Sequence, residues 1–155
     1  MIEQLVETWM INNRVNLMLL DHLDKAALDS TLSTRGGRTV GNQLAHLYAV
    51  RRSWVEVTNK SLVESLPVIE REDGNDKKLL ANGFKKSADV LAEIIRQSGA
   101  NDGKVKGFKR GIVPMVGYMI AHEAHHRGSI LLTLKQSGFK LNEQLRWGIW
   151  DWQKI

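Results

Sequence analysis

The 155-residue chain predicts an all-α protein, a four-helix bundle followed by a short Trp-rich C-terminal segment. Three observations lead there. Apolar residues recur with a helical period along four long stretches. Each stretch is bounded by glycine, proline or a hydroxyl or carboxylate residue suited to start or stop a helix. No stretch shows the sustained two-residue alternation of a half-buried strand. Four amphipathic helices joined by modest loops must bury their stripes against one another. One domain over residues 1–155 is long enough to do so around a real core.

The first helix covers about Ile2 to Leu23, with Ile2, Leu5, Val6, Trp9, Asn16, Leu20 and Leu23 along one stripe. Residues 30–38, with Gly36 and Gly37, read as a loop. Thr39 is placed to cap a second helix running to about Thr58, with Val40, Leu44, Leu47, Val50, Trp54 and Val55 as its apolar content. A polar stretch with Pro67 and Gly74 follows. Asp76 starts a third helix with the stripe Leu80, Phe84, Ala88, Leu91 and Ile95, and Gly99 is expected to close it as the C′ residue. After a loop to Gly111, Pro114 suits the first turn of a fourth helix, which Gly138 closes. The segment from Asn142 to Trp152 predicts one or two short turns whose tryptophans pack back on the bundle.

Composition narrows the function classes. Hydrophobic residues make up 43% and charged residues 25%, so wholesale disorder is excluded. No apolar run approaches the roughly 18 residues of a membrane span, and no membrane partner is expected. Residues Met1 to Glu7 lack the basic and apolar regions of a secretory signal, which makes the cytoplasm the expected compartment. Without cysteine, any metal must be held by imidazole or oxygen. The net charge of +5 raises the question of nucleic acid. The pairs Lys77–Lys78 and Lys85–Lys86 fit the solvated face of a helix, and only Phe108 interrupts the cluster from Lys104 to Arg110. No stacking platform or reading helix accompanies them, and no nucleic-acid partner is expected.

The chemistry concentrates in the fourth helix. His122 and His126 are four residues apart, hence neighbours on one face, where two imidazoles can hold one ion from a rigid backbone. Met115, Ser129 and Thr133 share that face, which places the pair toward the apolar side, where an unpaired polar ring is costly. His46, midway along the second helix, is alone among Asn42, Gln43, Ala49 and Val50. By itself it reads as a core histidine; joined to the pair it completes a three-imidazole site. Such a site keeps positions open for water or substrate, as catalytic zinc does. His125 is rotated about 60° from His122 and about 100° from His126, so it borders the site or faces solvent. His22, near the end of the first helix, reads as a residue favoured by the helix dipole.

His122-Glu123-Ala124-His125-His126 also matches the His-Glu-x-x-His of zinc peptidases, in which the glutamate is the general base. The metzincin extension is missing, since Ser129 and Leu132 stand where Gly and His are needed. Glu143, the candidate for a third ligand of the thermolysin kind, lies in the Trp-rich terminus. No strand is available to hold an extended peptide. The peptidase reading is set aside.

Taken together, Asn12 and Asn16 in the first helix, Leu44-Ala45-His46 followed by Trp54, His122-Glu123-Ala124-His125-His126-Arg127-Gly128, and Gly148-Ile149-Trp150-Asp151-Trp152 resemble the DinB/YfiT-like superfamily of DNA-damage-inducible B proteins. The likeness spans nearly the whole chain in order. It implies an up-down-down-up four-helix bundle, often a homodimer, with a divalent metal, usually nickel or zinc, on His46, His122 and His126. It also implies a small-molecule substrate. Characterised members of the superfamily include thiol-dependent S-transferases and a maleylpyruvate isomerase. Glutathione, mycothiol and bacillithiol all remain open as the low-molecular-weight thiol. Ser129 departs from the glutamine many members carry after Arg-Gly.

The expected activity is therefore a metal-dependent S-transferase in which a metal-activated thiolate attacks an electrophilic carbon. A hydrolase in which water attacks shares every ligand, and a non-catalytic metal-binding or interaction protein is the third class. Asn12 and Asn16 either hydrogen-bond ligand or water, or face solvent. Arg127 reads as a salt-bridge or dimer residue rather than an anchor for a substrate carboxylate. Tyr48 and Glu123 are candidates to lie near the site. Trp150 and Trp152 are expected in the core or an interface.

Overall fold

A computed structural model describes residues 1–155 and contains the four long helices in the order expected. They are α1 (Ile2–His22), α3 (Val40–Thr58), α4 (Lys77–Gly99) and α5 (Ile112–Gln136). Shorter pieces fill the connections: α2 (Lys25–Asp29), two 3-10 turns at Lys60–Ser65 and Arg71–Asn75, and α6 (Glu143–Gly148). An isolated bridge between Val105 and Phe108 closes the turn before α5. Of these pieces, α6 falls within the short turns expected between Asn142 and Trp152, while α2 and the two 3-10 turns carry too little periodicity to stand out in the sequence.

The helix ends follow local chemistry. Thr39 accepts from the Asn42 N–H while the Asn42 side chain accepts from the Thr39 N–H, a reciprocal capping box that starts α3. The Asp76 carboxylate accepts from the Leu79 N–H and starts α4. At the end of α5, Gly138 has φ +83°, and the N–H groups of Phe139 and Gly138 reach the carbonyls of Leu134 and Lys135. That is a Schellman ending, which needs a residue free to adopt the left-handed region.

Two expectations need correction. Gly99 does not close α4 as a C′ residue. The helix runs through it to a C-cap at Ala100, and the left-handed residues come later, at Asp102 and Gly103. A Cβ at Gly99 would lie 3.0 Å from Ile2 Cγ1, so the glycine admits the start of α1. The C-terminal tryptophans do not pack into the core either: Trp147 is 63% exposed, Trp150 76% and Trp152 40%. Leu145 is the residue by which α6 docks, because a six-residue helix can turn only one narrow edge inward.

Helix α1 packs on α4 and α5, and α3 packs on the same two. The core has two apolar clusters. One contains Leu19, Leu20, Leu44, Leu47, Phe84, Ile130 and Leu134; the other contains Trp9, Val55, Leu91, Ile95, Met115, Val116 and Met119. Between them all four long helices contribute to a buried polar layer of Asn12, Asn13, Asn16, Arg51, Ser87 and Glu123. The Arg51 guanidinium lies between the rings of Trp9 and Phe84, at 4.6 and 4.8 Å from their centroids. No helix is long and apolar enough to cross a membrane.

Candidate metal centre

His46 on α3 meets His122 and His126 on α5 where the two helices run together. One ring nitrogen from each residue comes within 4.8 Å of the others. The ring centroids are 5.4 Å apart for His46 and His122, 5.0 Å for His46 and His126, and 4.8 Å for His122 and His126. All three are half-buried. The buried stripe of α5 is centred on Val116, Met119, Glu123 and Ile130, so the histidine pair sits at its edge rather than on its middle.

Three observations bear on whether these residues suit a cation. The Nδ1 of His122 is buried without a hydrogen-bond partner, an unmet polar atom inside the cluster. Burial, the Arg38 charge and the facing His122 ring hold the His46 imidazole below its ordinary pKa. Burial and the rings of His122, His46 and His125, with Arg38, hold His126 down to about 4. Neutral imidazole is the ligating form, so these two rings are ready for a metal at neutral pH. Gln43, one turn before His46, places Oε1 3.4 Å from His126 Nδ1, in position to orient that ring. The cluster fits a divalent ion that accepts nitrogen ligands, with positions left for other ligands.

Glu123 lies elsewhere. It points into the polar layer, where Arg51 Nε reaches Oε1 at 2.6 Å and Arg51 Nη2 reaches Oε2 at 2.9 Å. Asn12 and Asn16 each donate to Oε2 at 2.6 Å. Burial pushes this carboxyl up, but the Arg51 charge and these hydrogen bonds outweigh it and leave the pKa below the ordinary value. A carboxylate so buried, with both oxygens engaged by Arg51, is not presented to a substrate. The geometry therefore disagrees with the peptidase role of this motif.

Asn12 and Asn16 do not face solvent, one of the two roles anticipated for them, and their side chains are engaged within the bundle. Both are fully buried, and their side-chain oxygens accept from Arg127 Nη1 at 2.8 Å. Arg127 is thus tied to the asparagines rather than to a carboxylate. Tyr48 is buried and its hydroxyl donates to the Pro67 carbonyl, which keeps it out of the site. His125 is exposed, with its ring 5.4 Å from that of His126. His22 lies apart, beside a pocket lined by Leu23, Asp24 and Phe139.

Two flanking features went unread in the sequence. On one side the Tyr118 ring stacks on His122, 6.2 Å between centroids and 17° between planes, and leads to Trp54 and Phe108. Tyr118 precedes His122 by four residues, so helical spacing alone places it beside the pair. On the other side a cleft of about 510 Å³ opens beside His126, with Arg38 and Gln43 among its walls. No local pattern could have brought the loop residue Arg38 there.

A helical bundle with three converging imidazoles defines a protein with a site that could hold a metal ion between two of its helices. The family model described as DinB family matches residues 1–143, and the chain belongs to that family. Neither a curated protein nor a solved structure matches it.

Proposed function

We propose that this DinB family protein is a divalent-metal-dependent S-transferase, with His46, His122 and His126 as ligands and zinc or nickel as the metal. The observation that carries this reading is the three-imidazole cluster, open on one side and set between a polar cleft and an aromatic cluster. His46, His122 and His126 would hold the ion, which would lower the pKa of a bound thiol and so make thiolate available near neutral pH. The sulfur forms a bond to the electrophilic carbon, the leaving group departs with its electron pair, and the thiol proton goes to solvent. Tyr118, Trp54 and Phe108 offer an apolar surface for a flat, uncharged electrophile. Gln43 holds the His126 ring, and the Arg51–Glu123 pair ties α3 to α5 beside the ligands.

The protein is also read as a homodimer. The start of α5 and the C-terminus expose Val113, Trp150 and Trp152, and the groove between α1 and α5 is lined by Val15, Leu19, Ile120 and Leu131. A second copy related by a two-fold axis would cover this surface.

The direct test of the reaction is turnover of a haloarene with glutathione, mycothiol or bacillithiol, in metal-loaded and chelator-stripped protein. Activity is expected only with both metal and thiol. Equal turnover without thiol would point to hydrolysis, and undiminished turnover in stripped protein would remove the metal from the reaction.

A further inference from the structure

The cleft beside His126 has an unbalanced charge. Thr31, Ser33 and Arg38 form one wall and His125, Ser129 and Thr133 the other, with no aspartate or glutamate among the lining residues. Three neutral imidazoles bring no negative charge to a divalent ion, and Glu123, the carboxylate within the histidine motif, is consumed by Arg51. Arg38 takes part in none of the chain's ion pairs, and its guanidinium donates no hydrogen bond within the chain. It nevertheless shares the cleft with His126, one of the three clustered imidazoles.

The loop that carries Arg38 is held in place. The Thr31 hydroxyl donates to the Arg38 carbonyl at 3.2 Å and accepts from the Ser33 N–H. Ser33 Oγ accepts from the N–H groups of Arg35 and Gly37, which leaves its own proton free to donate. The next residue, Thr39, is fixed by the capping box of α3. The cation is therefore presented from a tied backbone, next to a serine donor.

We propose that this cleft is an anion subsite, in which Arg38 binds a carboxylate of the same thiol whose sulfur ligates the metal. The cosubstrate is accordingly an acidic thiol, and Arg38 decides its selection. An arginine fork suits a carboxylate in two parallel hydrogen bonds, and the proximity of a divalent ion favours an anion further. The proposal rests on the metal reading above, and the test separates the two.

Cobalt(II)-loaded protein would be titrated with mercaptohexanoate and with mercaptohexanol, which have equal chain lengths, while the sulfur-to-cobalt absorption is followed. The acid is expected to bind about tenfold tighter, the scale of a charge-assisted hydrogen bond. Arg38→Gln should abolish that preference and leave the alcohol's affinity unchanged. Arg35→Gln makes the same change in net charge in the same loop but outside the cleft, and should keep the preference. Equal affinities in the native protein, or a preference that survives Arg38→Gln, would overturn the subsite while leaving the metal centre intact. Absence of cobalt uptake, or a spectrum unmoved by either thiol, would remove the metal reading and this one with it.

Discussion

Arg51 and Glu123 form a buried ion pair between α3 and α5, with Nε and Oε1 2.6 Å apart and both side chains almost wholly inaccessible. It joins the two helices that carry the histidines. His122 precedes Glu123 directly, and His46 lies five residues before Arg51. The pair therefore bears on the relative placement of α3 and α5 at the level of the cluster. Its solvation cost is offset by further hydrogen bonds to Asn12, Asn13, Asn16, Ser87 and the Phe84 carbonyl.

Removing one member should be severe. Glu123→Ala leaves Arg51 charged and unpaired in the core, and is expected to lower unfolding free energy by about 3–5 kcal/mol. Urea denaturation of metal-free protein measures this directly. Glu123→Gln tests the alternative role: a stable, metal-loaded variant that had lost only turnover would restore Glu123 as a catalytic base.

Metal content follows from the cluster. Purified protein should carry about one divalent ion per chain, as expected for a three-imidazole site. His46→Ala, His122→Ala and His126→Ala should each empty it, while His22→Ala should not. Gln43→Ala should retain the ion but weaken its affinity by about 10–100-fold, because His126 loses its orienting contact. Elemental analysis and competition with a chelating dye read both effects. Equal metal in all these variants would show that the ligands lie elsewhere.

The pH dependence has a definite sign. In the unfolded chain a histidine titrates near 6.5, whereas in the folded metal-free protein His46 is depressed and His126 lies at about 4. Between those values the unfolded state binds protons that the folded state refuses. The contribution from these rings is thus fully present above about pH 6.5 and is lost as pH falls toward 4. Urea midpoints of stripped protein should fall from pH 7.5 to pH 5, and His126→Ala should flatten the slope. Metal should leave as the pH drops below roughly 6, since protonated imidazole does not ligate. A midpoint independent of pH across this range would contradict the assignment.

Assembly is tested by light scattering at high micromolar concentration, where twice the chain mass is expected. Replacing Trp150 and Trp152 with polar residues should shift the mass toward the monomer without unfolding the chain, since both are exposed. A monomer mass for the native protein would count against the dimer.

The four long helices were legible in the sequence because helical periodicity and end chemistry are local. Thr39 and Asp76 cap through N–H groups three residues away, and Gly138 supplies a conformation that its own lack of Cβ permits. The His122–His126 pair was legible for the same reason, since a helix brings residues four apart together whatever surrounds it. Glu123 could have been placed as well, because Val116, Met119, Glu123 and Ile130 follow one core stripe. What the sequence could not decide was which helices become neighbours. His46 joins the pair only because α3 lies against α5, and the asparagines of α1 turn inward only because Glu123 and Arg127 meet them there. Arg38 reaches the cleft through a loop without periodicity, and the tryptophans stay outside because short α6 buries only Leu145. Contacts between residues far apart in the chain depend on the packing of whole helix faces, and no pattern confined to one segment encodes them.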